Sequence, residues 1–261
     1  MKILVCLKQV IDVELNVQLR DGRIVEEGLQ YAMNAYDESA LEAALQLKDK
    51  LDCEVVVLSM GPDRVTDVLK KALAMGADRA VHLDDPAVLG GDSGAAARAI
   101  AAYAKDKGFD LVMMGRQAQD TDAAGAGPMV AELLGLPQVT NIISLEQESE
   151  GKFLTRRVGD DGREVVEVSA PAVITVSNDY GEARLPTMKG ILGAKKKPVD
   201  VVTLSDLGLE ASQVGAAGSQ TQVVGREKPA GRAAGRKLTG EGPDLAKQLV
   251  EYLVNDARVL A

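Results

Sequence analysis

Short apolar runs alternate with longer helix-like segments along the first 140 or so residues of the chain. Four of the runs predict strands that are covered on both faces: residues 2–7, 54–59, 79–83 and 110–114. The segments between and after them predict helices: residues 36–50, 63–75, 92–107 and 123–134. Asp92 or Ser93 is the expected N-cap of the third helix, and Gly135 suits the C-terminal end of the fourth. Because strands that alternate with helices need crossover connections, the pattern predicts an α/β fold with a doubly wound, mainly parallel sheet.

The pattern changes after Thr140. Four shorter runs separated by turn residues predict an antiparallel β extension: residues 142–147, 153–158, 165–169 and 172–177. Residues 207–239 are rich in Gly, Ala and Ser and predict an extended linker, and residues 244–255 predict an amphipathic helix. We therefore expect an α/β domain over residues 1–200 and a C-terminal arm with a helix over residues 201–261. The apolar side of that helix either folds back onto its own domain or docks on a partner chain.

Composition excludes several classes of function. The 30 Lys and Arg residues against 39 Asp and Glu residues give a formal charge of -9, which repels nucleic acid and anionic membranes. No segment approaches the length of a membrane span, and Cys6 and Cys53 lie in apolar runs, as free thiols in a reducing compartment do. We expect a cytoplasmic protein without membrane insertion. His82 is the single histidine, which excludes a multi-histidine metal site.

The loops after the strands are the expected ligand site, because parallel sheets bind ligands beyond the carboxyl ends of their strands. These loops are residues 8–12, 59–62 and 115–122. In the third loop, Gly115 permits a tight turn, and Asp120 and Asp122 can accept hydrogen bonds from loop amides or a ribose. The run 123–127 has no bulky side chain, so a phosphate could approach the amides of the next helix, with Arg116 as a candidate cation. The alternative is a loop whose small residues only satisfy packing.

Other polar residues have simpler interpretations. Asn34 can cap the helix that follows it, although its amide could instead pair with an adenine edge. The carboxylates of Asp37 and Glu38 lie at a helix start and are expected to be solvated, and His82 is expected to be a surface or structural residue. No arrangement of nucleophile, base and acid appears, so no catalytic residue is predicted. The chain also lacks the GxGxxG and Walker patterns.

Several ordered segments resemble one protein family. They are Leu7-Lys-Gln-Val-Ile-Asp12, Asn34-Ala-Tyr-Asp37, Gly115-Arg-Gln-Ala118 with Asp120, Asp122 and Gly127, then residues 137–140 and 171–176, and finally Arg184, Ile191 and residues 194–197. Over residues 2–200 the chain resembles the β subunit of electron transfer flavoproteins. The resemblance implies an adenine nucleotide α-hydrolase-like sheet and a heterodimer with a larger α subunit that holds most of the redox FAD. It also implies electron transfer from an acyl-CoA or other dehydrogenase to an acceptor.

The resemblance also assigns roles to residues. Leu7 and Asp12 would lie by the adenine and ribose, Asn34 would read the adenine edge, and Asp120, Asp122 and the amides of residues 123–127 would hold phosphate and ribose. The expected cofactor-binding residues are Leu7, Asp12, Asn34, Gly115, Arg116, Gln117, Asp120, Asp122, Ala123, Ala124, Gly125, Ala126, Gly127 and Thr140. The expected partner-recognition residues, in a loop over residues 184–197, are Arg184, Met188, Ile191, Lys195, Lys196 and Lys197. In that loop Met188 would be the apolar anchor, and the lysines would steer the acidic rim of a dehydrogenase.

Two nucleotides remain possible in this chain's own site. Ordinary family members bind AMP there, and electron-bifurcating members bind a second FAD that takes a hydride from NADH. Gly127 and Pro128 resemble the bifurcating group, whereas Thr121 and Ala123 depart from it. We therefore expect AMP, with a second FAD as the alternative. A further alternative is a homodimeric nucleotide-binding signalling module that shares the same sheet.

Overall fold

The computed structural model describes residues 1–12, 17–231 and 234–259. These residues divide into two compact units, Met1–Val224 and Gly225–Ala261. No helix in the described ranges is long and apolar enough to cross a membrane. The same residues contain no group of three or more His, Cys, Asp or Glu side chains that could hold a metal ion.

One large sheet dominates the first unit. The strands are β1 Lys2–Cys6, β2 Gln9–Ile11, β3 Leu19–Arg20, β4 Arg23–Ile24, β5 Tyr31–Met33, β6 Glu54–Met60, β7 Arg79–Leu83, β8 Leu111–Gly115, β9 Gln138–Ser149, β10 Lys152–Gly159, β11 Gly162–Ser169, β12 Ala172–Val176 and β13 Val199–Val202. In the described part of the chain, nine of them form one sheet in the order β11-β10-β9-β12-β8-β1-β6-β7-β13. From β9 to β13 in this order, each strand pairs in parallel with its neighbour.

Helices cover both faces of this sheet, as the sequence predicts. They are α1 Ala35–Lys48, α2 Thr66–Met75, α3 Ser93–Ala104, α4 Ala126–Leu134, α5 Met188–Ala194 and α6 Gly215–Gly218. Helices α1, α2 and α5 pack into one apolar cluster, which includes Leu41 and Leu69. Helices α3 and α4 pack into a second cluster on the opposite face, which includes Ile100 and Val130. The α/β fold class with a mainly parallel, doubly wound sheet is therefore confirmed.

The strand order locates the expected ligand crevice. After β1 the chain adds β6 and β7 on one side, and it then returns to place β8 on the other side of β1. The carboxyl ends of β1 and β8 are thus the point where the direction of strand addition reverses. In open parallel sheets this is the point at which the connecting loops diverge and leave room for a ligand.

The antiparallel extension is smaller than predicted. Strands β9, β10 and β11 pair antiparallel, as expected. Strand β12 does not continue this meander, because it inserts between β8 and β9 and pairs with both in parallel. Helix α4 begins at Ala126 and not at the predicted residue 123, so residues 123–125 belong to the preceding loop.

The C-terminal arm also begins later than expected. The boundary predicted at residue 200 falls inside β13, which is paired with β7. The first part of the predicted linker, which begins at residue 207, is packed on the sheet: Val214 is buried in the second apolar cluster, and Leu207 and Leu209 pack against it. The second unit contains α7 Gly242–Glu251, which continues into a π-helical turn at Tyr252–Asp256.

Candidate functional site

A buried carboxylate joins the two strands at the crevice. Asp37, in the first turn of α1, accepts hydrogen bonds from the backbone N–H of Lys8 at 2.7 Å and of Gly115 at 2.8 Å. Lys8 follows β1 and Gly115 ends β8, so one side chain fixes both edges of the crevice. A Cβ atom at position 115 would lie 2.5 Å from the Cβ of Tyr36, so only glycine permits this close approach of α1. The expectation of a solvated Asp37 is wrong, because its side chain is 6% exposed.

The ionisation of Asp37 reflects opposing effects. Burial disfavours the carboxylate and raises its pKa to about 6, while the donors from Lys8, Gly115 and Asn34 act in the opposite direction. Asp37 therefore changes charge closer to neutral pH than an ordinary aspartate does.

Asn34 is buried beside Asp37 and holds the loop that follows β8. Its side-chain N–H donates to the Gln117 carbonyl at 2.8 Å, and its side-chain oxygen accepts the Gln119 N–H at 3.0 Å. The predicted cap is absent, since Asn34 makes no side-chain capping bond to α1. The side chain of Gln119 instead accepts the N–H of Ala35 at 3.2 Å, so the loop caps the helix.

Charged and polar side chains line the outer part of this loop. Lys8 Nζ lies 2.6 Å from Asp120 Oδ1, which links the loops after β1 and β8. Gln117 donates to Asp122 at 2.7 Å. Arg116 donates to Asn141 at 3.3 Å, and its guanidinium lies 5.3 Å from the centre of the Tyr36 ring. Arg116 and Gln117 are thus oriented by neighbours from three different elements.

The small-residue segment before α4 has an unusual backbone. Asp122 and Ala124 both have φ near +49°, which is the left-handed region. The N–H groups of Thr121 and Asp122 both donate to the Ala118 carbonyl. Helix α4 then starts after Gly125 without a side-chain cap. The first amides of a helix lack intrahelical acceptors, so this uncapped end has the donors and the dipole that suit a phosphate.

Gly127 serves packing in this segment. A Cβ atom there would lie 2.3 Å from Thr175 Cγ2 on β12. The Thr175 hydroxyl accepts the Asn141 N–H at 2.9 Å, so the threonine cannot rotate away without losing that bond. Packing against Thr175 is therefore a reason for glycine at position 127 that does not depend on the predicted contact with a cofactor.

We expect Gly127→Ala to destabilise the protein by about 2 kcal/mol, through overpacking against Thr175. Adding Thr175→Ser should recover most of this loss, because serine removes the clashing methyl and keeps the hydroxyl. Urea unfolding of the two variants and of Thr175→Ser alone measures the effect. Equal stabilities for Gly127→Ala and the double variant would contradict the proposed clash.

A second concave region lies at the carboxyl ends of β6 and β7. It is an open cleft of about 370 Å³ that includes Gly61, Arg64 and Asp84 in its lining. His82 is buried below it, with Nε2 2.7 Å from the Gly61 carbonyl oxygen, as a structural histidine would be.

Ser59 Oγ and Gln9 Oε1 are buried and have no hydrogen-bond partner in the described part of the chain.

The segment over residues 184–197 separates into inward and outward side chains. Arg184 bonds to Glu42 through its backbone N–H and its guanidinium, and it also pairs with Asp49. Lys197 turns inward and donates to carbonyls at the end of α2, namely Leu73 and Ala77. These two members of the predicted recognition set therefore bond to α1 and to the end of α2.

The outward side chains of that segment are apolar and basic. Leu185 is 83% exposed and Met188 is 72% exposed, and Ile191 and Leu192 are also exposed. Lys195 and Lys196 are exposed beside them. Helix α5 is held close to α2 at Gly190, where a Cβ atom would lie 2.2 Å from the Ala74 carbonyl oxygen. Met188, Ile191 and Leu192 are thus exposed on a helix that packs closely against α2.

The structure brings six of the fourteen predicted cofactor residues into one network of contacts. Asn34, Gly115, Gln117, Asp120 and Asp122 lie in one network of contacts around the crevice. Arg116 extends this network towards Asn141, the neighbour of Thr140, at the start of β9.

Leu7 is buried in the apolar core, and the backbone of Asp12 donates to Gln30. Asp37 and Gln119 were not predicted as site residues, because their hydrogen-bond partners lie far away along the chain.

Comparison with known proteins identifies the family of this chain. Residues 21–207 match the family model described as electron transfer flavoprotein domain. The chain is 38% identical to electron transfer flavoprotein subunit beta of Thermoanaerobacterium thermosaccharolyticum, over 97% of this chain and 98% of that protein. It is 37% identical to the protein of the same name from Syntrophomonas wolfei, over 99% and 98%. The Megasphaera elsdenii protein of that name is also 37% identical, over 97% and 98%. The chain therefore belongs to the electron transfer flavoprotein family.

Proposed function

We propose that this chain is the β subunit of a heterodimeric electron transfer flavoprotein that binds AMP in the crevice between β1 and β8. Its α subunit would hold most of the FAD, which supplies the redox chemistry when bound. The heterodimer would carry electrons from an acyl-CoA or other dehydrogenase to an acceptor. The chain itself would bind, orient and shield, since no catalytic residue is assigned to it.

The loop between β8 and α4, at the carboxyl ends of β1 and β8, is the main observation behind this proposal. An uncapped helix end follows a segment without bulky side chains, so a phosphate could reach the amides of residues 123–127. Asp120 and Asp122 supply acceptors for ribose hydroxyls beside it. In the part of the chain that the structure describes, two buried side-chain oxygens have no hydrogen-bond partner: Ser59 Oγ on β6 and Gln9 Oε1 on β2, which follows β1. Buried polar atoms are normally satisfied, so these two favour a polar ligand nearby.

The partner surfaces follow from what remains exposed. The exposed apolar side chains Leu185, Met188 and Leu192, beside Lys195 and Lys196, suit a dehydrogenase with an apolar pocket and an acidic rim. In the second unit, α7 has no buried residue, and Leu249 and Tyr252 remain exposed at its end and in the following turn. An amphipathic helix of this kind gains most by covering its apolar side, and we propose that the α subunit covers it.

Counting the nucleotides released from the purified heterodimer tests the proposal directly. We expect one FAD and one AMP for each pair of chains, because the crevice is proposed to take an adenylate and the α subunit the flavin. This chain expressed alone should contain no tightly bound flavin. A complex with no adenine nucleotide beyond its single FAD would contradict the proposal.

The same count separates AMP from the alternative ligand. Two FAD per heterodimer, with reduction of the flavin by NADH, would identify an electron-bifurcating protein. The backbone amides of residues 123–127 serve either ligand equally, because AMP and FAD share the adenylate group.

A further inference from the structure

We propose that Asp37 and Asn34 act as a positioning pair that holds the loop after β8 in its nucleotide-binding shape. This inference rests on the proposed function. It differs from the role that the family resemblance gives to Asn34, which is direct contact with adenine. The inference also gives a role to Asp37, for which the sequence predicted only a solvated carboxylate.

The hydrogen bonds of Asn34 hold it against the loop after β8. Its side-chain nitrogen donates to the Gln117 carbonyl, and its side-chain oxygen accepts the Gln119 N–H. Both ends of the amide are therefore bonded to the backbone of the loop. Asn34 is thus placed to shape the loop.

Asp37 supplies the other half of the arrangement. Its two oxygens accept the backbone N–H groups of Lys8 and Gly115. The Asn34 N–H donates in turn to the Lys8 carbonyl at 2.9 Å. The end of β1, the start of α1 and the loop after β8 are thereby joined through two buried side chains. Any change at Asp37 should alter the spacing between the loops on the two sides of the crevice.

The surroundings of Asp37 give its role a pH signature. On β1 and its following loop it faces the Cys6 thiol, whose pKa is raised chiefly by burial, and the Lys8 ammonium. From β8 it faces only the backbone of Gly115, and from the start of α1 the neutral amide of Asn34. Protonation turns one oxygen of Asp37 from an acceptor into a donor. That oxygen then faces a backbone N–H group, which is also a donor, so the hydrogen bond is lost. The hydrogen bonds of Asp37 to the backbone of Lys8 and Gly115 should therefore weaken as pH falls through about 6, which is the pKa of Asp37.

The test compares AMP affinity in the purified heterodimers of the wild type, Asp37→Asn and Glu38→Gln. Asparagine keeps one acceptor but points an N–H group at a backbone donor, so we expect about tenfold weaker AMP binding above pH 7. Glu38→Gln removes the same charge one residue away, from a side chain that pairs with Lys71, and should bind AMP like the wild type. Affinity unchanged by Asp37→Asn would overturn the inference.

A pH series separates positioning from a general loss of stability. The ratio of the Asp37→Asn and wild-type dissociation constants should shrink towards one as pH falls below about 6, because only the wild type loses a carboxylate. The titration of the AMP phosphate affects both proteins and cancels in the ratio. A ratio that stays constant with pH contradicts the positioning role.

Two further outcomes are informative. If Asp37→Asn yields no heterodimer, the wild type can be titrated with adenosine, which carries no phosphate. Its affinity should then fall between about pH 7 and about pH 5, and a constant affinity would overturn the inference. If the wild-type heterodimer binds neither AMP nor adenosine, the proposed function fails, whereas binding that is insensitive to Asp37 contradicts the positioning pair alone.

Discussion

Arg184→Met is expected to destabilise the protein by about 3 kcal/mol, because it leaves the Glu42 carboxylate buried without its cation. Glu42 is 5% exposed and accepts from the backbone and guanidinium of Arg184 at distances between 2.8 and 3.1 Å. Asp49 also pairs with Arg184 but is well exposed, so that pair contributes little. Methionine preserves much of the aliphatic volume, and urea unfolding of the isolated chain measures the loss.

The pH dependence of this loss has a definite sign. Burial opposes the ionisation of Glu42, but the hydrogen bonds from Arg184 and Gln46 outweigh it and lower the pKa of the carboxyl below 4.5. A lowered folded-state pKa contributes stability that is present above the unfolded value and is lost as pH falls through the folded value. The difference between wild type and Arg184→Met should therefore be greatest above about pH 5 and shrink in more acidic buffer.

Matched variants separate the ion pair from simple loss of contact. Adding Glu42→Gln to Arg184→Met should recover about 1 kcal/mol, because the remaining buried group is neutral. Asp49→Asn alone should change stability by less than about 1 kcal/mol. Equal losses for Arg184→Met at neutral and acidic pH, with no recovery in the double variant, would show that Arg184 acts through packing alone.

Arg184 also illustrates why residues of one segment have different roles. The sequence places it with Met188 and the lysines in one exposed loop, and the lysines are predicted to steer a partner. In the structure, Arg184 and Lys197 bond to α1 and to the end of α2, so they fix the two ends of the segment. The exposed residues between them, such as Met188, are then available to a partner.

Local patterns predicted the elements well where one physical effect dominates. The strand over residues 79–83 is found with the predicted bounds, because an apolar run between polar turns permits no other buried strand. Asp92 caps α3 through its bond to the Ala95 N–H, and Gly135 ends α4 in the left-handed conformation. These features depend on residues that lie within a few positions of one another.

Features that depend on distant partners were predicted less well. Strand β12 looks like the last strand of a meander, but β8 offers it a buried parallel edge, and this non-local pairing decides its neighbours. Asp37 resembles a solvated helix-start acid until the N–H groups of Lys8 and Gly115 are brought to it. Composition also misled at residues 207–221, where small residues indicate a linker but permit close packing in the structure.

That close packing gives a second large expected effect. Gly215→Ala should cost about 3 kcal/mol locally, from a strained backbone and lost burial of Val214. Gly215 has φ of +54°, and a Cβ atom there would lie 1.8 Å from the Ala87 carbonyl oxygen and 2.8 Å from that of Leu89. Both obstacles are backbone atoms, so a side-chain rotation cannot relieve them. We expect residues 213–221 to detach from α3, to which Arg98 and Asp92 bind them.

Hydrogen exchange of individual amides measures this detachment. The N–H groups of Ala216, Gln220 and Thr221 should lose protection by about two orders of magnitude in Gly215→Ala, while amides of β1 keep theirs. Gly225→Ala is the matched control, since a Cβ atom at that position has no neighbour within 4 Å. Unchanged protection in Gly215→Ala would mean that the segment shifts as a body and keeps its bonds to Asp92.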